Sequence, residues 1–425
     1  MTTTTAVTTA TKNNELGYVS PRRQRVMGIV FLAFAAMIWI LFSRTTTGDM
    51  ITTFNTSPGG AVQTPDLVFK TLPFLNVLAS LSTAIGAYQV VRGFKGKTNT
   101  MLGILAGFFA LAFLAWGAAD KSLNLAGLLK VAVVRSVPLT LGAMSGILCE
   151  RSGIINIGIE GMMLSAAFTS TVAASLGNIW IGVLAAILTG ALFGWILAVF
   201  SIKYKVDQII SGTIINIFAT GMTSFLSAKF LQKYAYLNSA GQFPTWDIPL
   251  LSKIPFIGPI LFSHNMFVYA MFILLIVFTI LLFHTRWGLR LRSAGEHPKA
   301  ADTLGIDVNR TRYIATILGG MVAGFGGAYF TLGSVGRFDE VMTAGRGFIG
   351  LAAMIFGNWM PAGALGAGLL FGFADSLAGK LTILRIPIPP KFLEMAPYIV
   401  TMIVLAGVVG HTQAPASEGK PYEKE

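Results

Sequence analysis

The chain has 425 residues, 54% hydrophobic and 12% charged, with a mean hydropathy of +0.70 and a formal net charge of +13. A soluble domain carries about 25% charged residues, and so small a polar share cannot cover a water-soluble protein of this size. Composition therefore excludes a soluble enzyme and predicts a polytopic membrane protein. The excess Lys and Arg is read as retention on cytoplasmic loops, and no nucleic-acid partner is expected.

The first twenty residues are Thr-rich and polar, and 1–25 reads as a disordered cytoplasmic N-terminus. A helix needs roughly 20 apolar residues to cross the hydrocarbon core. Val26–Phe42, Leu72–Val91 and Met101–Ala119 meet that length and form an N-terminal group, residues 26–119. The first of them reads as an uncleaved anchor, because no cleavage site follows it. Ser136–Cys149 is shorter and fits with its flanks, whereas Gly161–Ile202 is long enough for two passes or one broken span. Gln208–Ala228, Asn265–Phe283 and Tyr313–Gly336 follow. Gly347–Ala374 is again overlong, and Met395–Gly410 closes a core domain of residues 120–410 before a cytoplasmic tail, 411–425. The prediction is an all-α membrane bundle of about 10–12 transmembrane helices with broken or re-entrant segments.

Charge sets the sidedness. Arg22, Arg23 and Arg25 hold the N-terminus inside; alternation from there puts Arg92–Lys97, Lys203–Lys205 and the Arg286–Arg312 loop in the cytoplasm too. The bias weakens late, where Lys380, Arg385 and Lys391 fall on a predicted outer loop.

Several chemistries are missing. One cysteine, Cys149, excludes a disulfide framework, and His264, His284, His297 and His411 have no metal spacing. Arg92–Thr98 superficially resembles a phosphate loop, but Val91 stands where its first glycine belongs and a membrane span precedes it. The chain therefore holds no ATPase domain. The spans are almost free of ionisable groups: Glu160 and Asp375 read as solvated ends, and Lys130 and Arg135 as snorkelling outward. A proton relay is poorly supported.

Some local patterns carry positive signals. Gly319–Gly333 and Gly363–Gly372 are spaced for close helix packing. Asn358-Trp359-Met360-Pro361 interrupts Phe348–Phe373, so a broken span or hairpin is expected, either bordering a solute path or making a plain tight turn. Two similar islands, Ser152–Ile157 and Ser211–Ile217, each place an asparagine beside an apolar run, for bonding between helices or for facing a solute. In the Arg286–Arg312 loop, Pro298 suits a helix start and Gly305 its end, framing a helix of under two turns. So short a helix is unstable alone, and it is either an ordinary surface loop or a docking element for a partner.

Cys-Glu-Arg-Ser-Gly-Ile-Ile-Asn-Ile-Gly-Ile-Glu-Gly-Met-Met (Cys149–Met163) closely resembles a signature of ATP-binding-cassette importer permeases of the ribose and nucleoside type, within the branched-chain amino-acid superfamily. Gln208–Leu226, Gly288–Ile306 and Thr343–Ile349 running on to Pro361–Gly363 resemble the same family, in its order and spacing. Glu150–Gly153 is most similar to the second permease of bacterial nucleoside importers.

The resemblance implies the fold of a type II ABC importer permease in the bacterial plasma membrane. It also implies a separate cytoplasmic ABC ATPase that uses the ATP, a second permease subunit and an extracytoplasmic solute-binding lipoprotein; the chain itself is no enzyme and binds no cofactor. Gly295, Glu296, Pro298, Ala300, Ala301, Gly305 and Ile306 match the family's ATPase-coupling segment, while Asn156 and Glu160 fall in the signature beside the translocation path. Asn216, Phe218 and Asn358 join them as candidates for a path offering aromatic stacking and hydrogen bonds. The first three spans depart from the shorter family pattern. Rival readings are a simple-sugar or branched-chain amino-acid permease, an ion-driven carrier, and a membrane enzyme, which would lack a convergent catalytic set.

Overall fold

The computed structural model describes residues 21–57, 64–384 and 413–424, with Phe392 and Met395. The polar stretch 1–20, Arg385, Lys391, His411 and, apart from Met395, the expected span Met395–Gly410 lie outside the described residues. Among those described, ten helices are long and apolar enough to cross a membrane, and the protein is a multi-pass helical membrane protein.

Packing divides the chain into two compact units, Met1–Ala126 with Leu381–Pro387, and Gly127–Lys380 with Ile388–Glu425. The first holds α1 (Pro21–Met37, prolonged by a π-helical turn, Ile38–Ser43), α2 (Thr71–Val91) and α3 (Thr98–Gly117). A small sheet tops it in the order β2-β1-β3. Strand β1 (Ile51–Asn55) runs antiparallel to β2 (Leu67–Lys70), pairing Thr53 with Val68, and parallel to β3 (Ser122–Asn124), pairing Phe54 with Leu123. Between α2 and α3 the basic stretch folds as a turn, in which Gln89 Oε1 accepts the Phe94 N–H at 2.9 Å.

The second unit is built on α4 (Leu125–Glu150), α5 (Ile159–Leu176), α6 (Ile179–Ala198), α7 (Gln208–Leu226), the short α8 (Ile257–Leu261), α9 (Met266–Phe283), α10 (Arg286–Glu296), α11 (Pro298–Thr303), α12 (Val308–Phe330), α13 (Arg346–Phe356) and α14 (Pro361–Ile383). Gly161–Ile202 is thus two passes, turned at Gly177 and Asn178, whose Oδ1 accepts the Ile181 N–H at 3.0 Å. The apolar windows of α4 and α12 are 83% and 78% buried against 28% for α7 and α9, so the first pair forms the core of the unit and the second lies at its periphery. Helix α6 lies along α12 on a seam of Gly190, Gly194, Gly320 and Gly324. A Cβ on Gly190 would strike the Gly320 carbonyl and sit 2.8 Å from Gly324 Cα. Lipid offers no hydrophobic drive between helices, so this close approach is what holds them.

The expected interruption is present. Helix α13 has 11 residues, about 16 Å of rise, roughly half the hydrocarbon thickness. Asn358 (φ 53°) and Trp359 (φ 52°) then reverse the chain in left-handed conformations, and Pro361 opens α14 where its missing N–H costs nothing.

The interior is not free of charge, contrary to expectation. Arg135 does not snorkel outward: its Nη1 lies 2.8 Å from Asp375 Oδ2, so Asp375 is no solvated end either. Glu160 is also inside, 9% exposed. An ionic group in a span is stable only when paired or hydrogen-bonded, and hydropathy alone does not show which partner arrives from a distant helix.

Candidate coupling surface and solute path

The Arg286–Arg312 loop folds into α10 and α11, both capped by their own side chains. Thr285 Oγ1 accepts the Gly288 N–H at 3.1 Å, and His297 Nδ1 accepts the Ala300 N–H at 3.1 Å. Pro298 occupies the first turn of α11. Gly305 (φ 81°) ends it in the left-handed region that glycine tolerates, returning the Ile306 N–H to the Ala301 carbonyl at 3.1 Å. Ala301 is 2% exposed and packs with Ala294, Val308, Tyr422 and the half-buried Ile306. The opposite face, Ala300 and Leu304, is open; Leu304 is 82% exposed.

Residues 413–424 form a strap beneath this platform. Ser417 donates its N–H to Gly295 O at 2.9 Å and its hydroxyl to Glu296 O at 3.1 Å, while Glu296 Oε2 accepts the Ala416 N–H at 3.2 Å. Arg312, 2% exposed, donates Nε–H to Ser152 O and Nη1–H to Lys420 O, each at 3.0 Å. Gly295 and Glu296 therefore hold the strap, and Gly295 packs so tightly on the Arg151 carbonyl that no side chain fits. Asn358 belongs here as well: its Oδ1 accepts the Gln413 N–H at 3.0 Å. Arg151 donates to Trp359 O at 3.1 Å and Asn358 O at 3.3 Å; burial lowers its pKa, opposed by Glu296. The Glu150 carboxylate accepts the Trp359 indole N–H at 2.6 Å and meets Glu418, whose own pKa burial pushes above the usual carboxylate range.

A second cluster surrounds Glu160. Its Oε1 accepts the Thr343 hydroxyl at 2.6 Å and the Gly345 N–H at 2.8 Å, and its Oε2 the Gly347 N–H at 2.6 Å. The carboxylate thus fixes the loop that starts α13. Asn216 bonds two helices, accepting the Gly161 N–H at 2.7 Å and donating to Ile157 O at 2.9 Å. Asn156 is fully buried, its amide N–H groups directed at Cys149 Sγ and Met162 Sδ and its Oδ1 without a partner among the described residues. Phe218 is 51% exposed, two residues beyond Asn216. The structure so gathers Asn156, Glu160 and Asn216 around one turn and sets Asn358 apart, under the strap.

The family described as the branched-chain amino acid transport system permease component matches residues 127–408. The chain belongs to that permease family. It is 42% identical over 303 residues, 69% of this chain and 95% of the relative, to a nucleoside ABC transporter permease protein, NupC, of Lactococcus lactis. It is 42% identical over 302 residues, again 69% and 95%, to a guanosine ABC transporter permease protein, NupQ, of Bacillus subtilis. A putative glucose ABC transporter permease protein, TsgC13, of Haloferax volcanii is 31% identical over 328 residues, 71% of this chain and 98% of the relative. No solved structure matches.

Several features of this permease escape sequence reading. The strap lies more than a hundred residues from the loop it supports, and no composition signal marks it. Arg312 looks like one more member of a basic loop, yet it is buried. Arg135 stands at the head of an apolar run in the sequence, and only the structure shows it ten residues inside a helix with a partner on α14.

Proposed function

We propose that this chain is one permease subunit of an ATP-driven importer of nucleosides in a bacterial plasma membrane, with both of its ends in the cytoplasm. One observation carries the coupling role: α11 is a capped helix too short to persist alone, held on a buried platform with Leu304 projecting from it. A separate ABC ATPase docks there and hydrolyses the ATP; this chain binds no cofactor. A second permease subunit completes the pathway, and a lipoprotein delivers the solute from outside. ATP-driven closure of the ATPases pulls α11 and rocks the bundle between inward and outward openings. The high identity to nucleoside permeases supports the solute class.

Burying a leucine contributes about 1.5–3 kcal/mol, so Leu304→Asp is expected to weaken ATPase co-purification by about tenfold or more. Labelled adenosine uptake should fall with it, while the exposed position leaves the permease folded. Unchanged ATPase retention and uptake would rule the docking role out. The likeness to a putative glucose permease favours simple sugars as the second reading. Uptake of labelled ribose without adenosine or guanosine would establish it, and uptake of leucine alone would exclude both.

A further inference from the structure

Arg135, Asp375 and Arg346 meet deep in the second unit. Arg135 lies ten residues inside α4 and Asp375 eight residues before the end of α14, about 15 and 12 Å from those helix ends. Asp375 Oδ2 takes the Arg135 guanidinium at 2.8 Å, and Arg135 also donates to the Asp375 carbonyl at 2.8 Å. Arg346, at the first turn of α13, is only an ion-pair neighbour at 3.8 Å. Its guanidinium stands over the Phe330 ring, 5.9 Å from the centroid, and makes no hydrogen bond among the described residues. Each of the three side chains is about one-third exposed. Charge at such depth is not stable against acyl chains, so the exposed third must face water.

We infer that this triad lines the aqueous solute path and that Arg346 is a specificity-determining residue for the base of a 6-oxopurine nucleoside, an inference that rests on the importer reading above. One carboxylate serves two guanidinium groups and is already committed to Arg135. Arg346 thus presents a donor-only fork, which calls for adjacent acceptors on the solute. A 6-oxopurine offers O6 and N7 in that geometry; a 6-aminopurine sets a donor against the fork. The Phe330 ring backs the guanidinium, and the glutamate-anchored loop fixes the backbone at Gly347.

The test uses the full transporter reconstituted with its ATPase, and measures uptake efficiency for guanosine and adenosine. Arg346→Gln is expected to lower the guanosine-to-adenosine ratio about tenfold. Arg346→Lys keeps a cation beside Asp375, which protects folding, and should lower the ratio similarly because it lacks the fork. An unchanged ratio in both variants overturns the specificity role. Arg346→Cys adds a second readout, since the sole native cysteine is buried. A membrane-impermeant thiol reagent should modify it, and guanosine should slow the modification; a thiol that stays unreactive overturns the placement in the path. Wild-type transporter that moves no nucleoside at all refutes the importer reading itself, a result separate from a ratio that does not move.

Discussion

Glu160→Gln isolates what a single buried carboxylate does for the broken segment. The wild-type group accepts three short hydrogen bonds from Thr343, Gly345 and Gly347, all within the five residues that precede and open α13. Glutamine has the same shape but only one acceptor oxygen. If that oxygen keeps Thr343 and Gly345, the amide NH2 confronts the Gly347 N–H, donor against donor. Hydrogen bonds to a charged group contribute about 1.5–3 kcal/mol each, and a buried N–H left unpaired costs about 1–3 kcal/mol. One bond lost, two weakened by loss of charge and one donor stranded amount to about 3–5 kcal/mol. Thermal unfolding of the purified permease in detergent, with solute uptake after reconstitution, measures the effect. The transition should fall by several degrees and uptake should drop even where folded protein remains, because α13 would lose its anchored start. Wild-type stability together with wild-type uptake in Glu160→Gln would refute the reasoning.

Two other perturbations follow from the packing. Gly190→Leu forces a side chain into the Gly320 backbone on the α6–α12 seam and should cost about 1–3 kcal/mol or more, read as a lower thermal transition, with Gly190→Ala intermediate. Burial raises the Glu418 pKa, so the docked strap binds its proton more tightly than the released one. Strap docking is therefore firm below the usual carboxylate range and weakens as pH rises from there toward the raised value. Hydrogen exchange of residues 413–424 should quicken across that window, and Glu418→Gln, neutral throughout, should flatten the response; an equal slope in the variant argues against Glu418 as its source.

Much of the bundle was legible because lipid imposes a length rule that the apolar runs obey. The break at Asn358–Pro361 and the ends of α11 were legible too, since proline and glycine act locally through the backbone. The role of Glu160 was not. Its three donors come from residues more than 180 positions away, and a carboxylate satisfied by backbone N–H groups looks in sequence like one at a wet helix end. Arg135 and Asp375 failed for the same reason, each being explicable alone as a terminal charge. Asn216 shows the opposite case, where the modest expectation of bonding between helices describes what it does. The bare Leu304 was not legible, because spacing alone does not tell which side of so short a helix is turned inward, and the structure buries Ala301.

Arg151 makes the platform and the broken segment a single geared piece. Its carbonyl supports Gly295 without room for a methyl group, and its guanidinium grips the two carbonyls at the reversal, Asn358 and Trp359. Only one amino acid separates these contacts, so slack cannot accumulate between them. The end of α10 and the apex between α13 and α14 thus share one residue as their common support, and a change of backbone at either place is felt directly at the other.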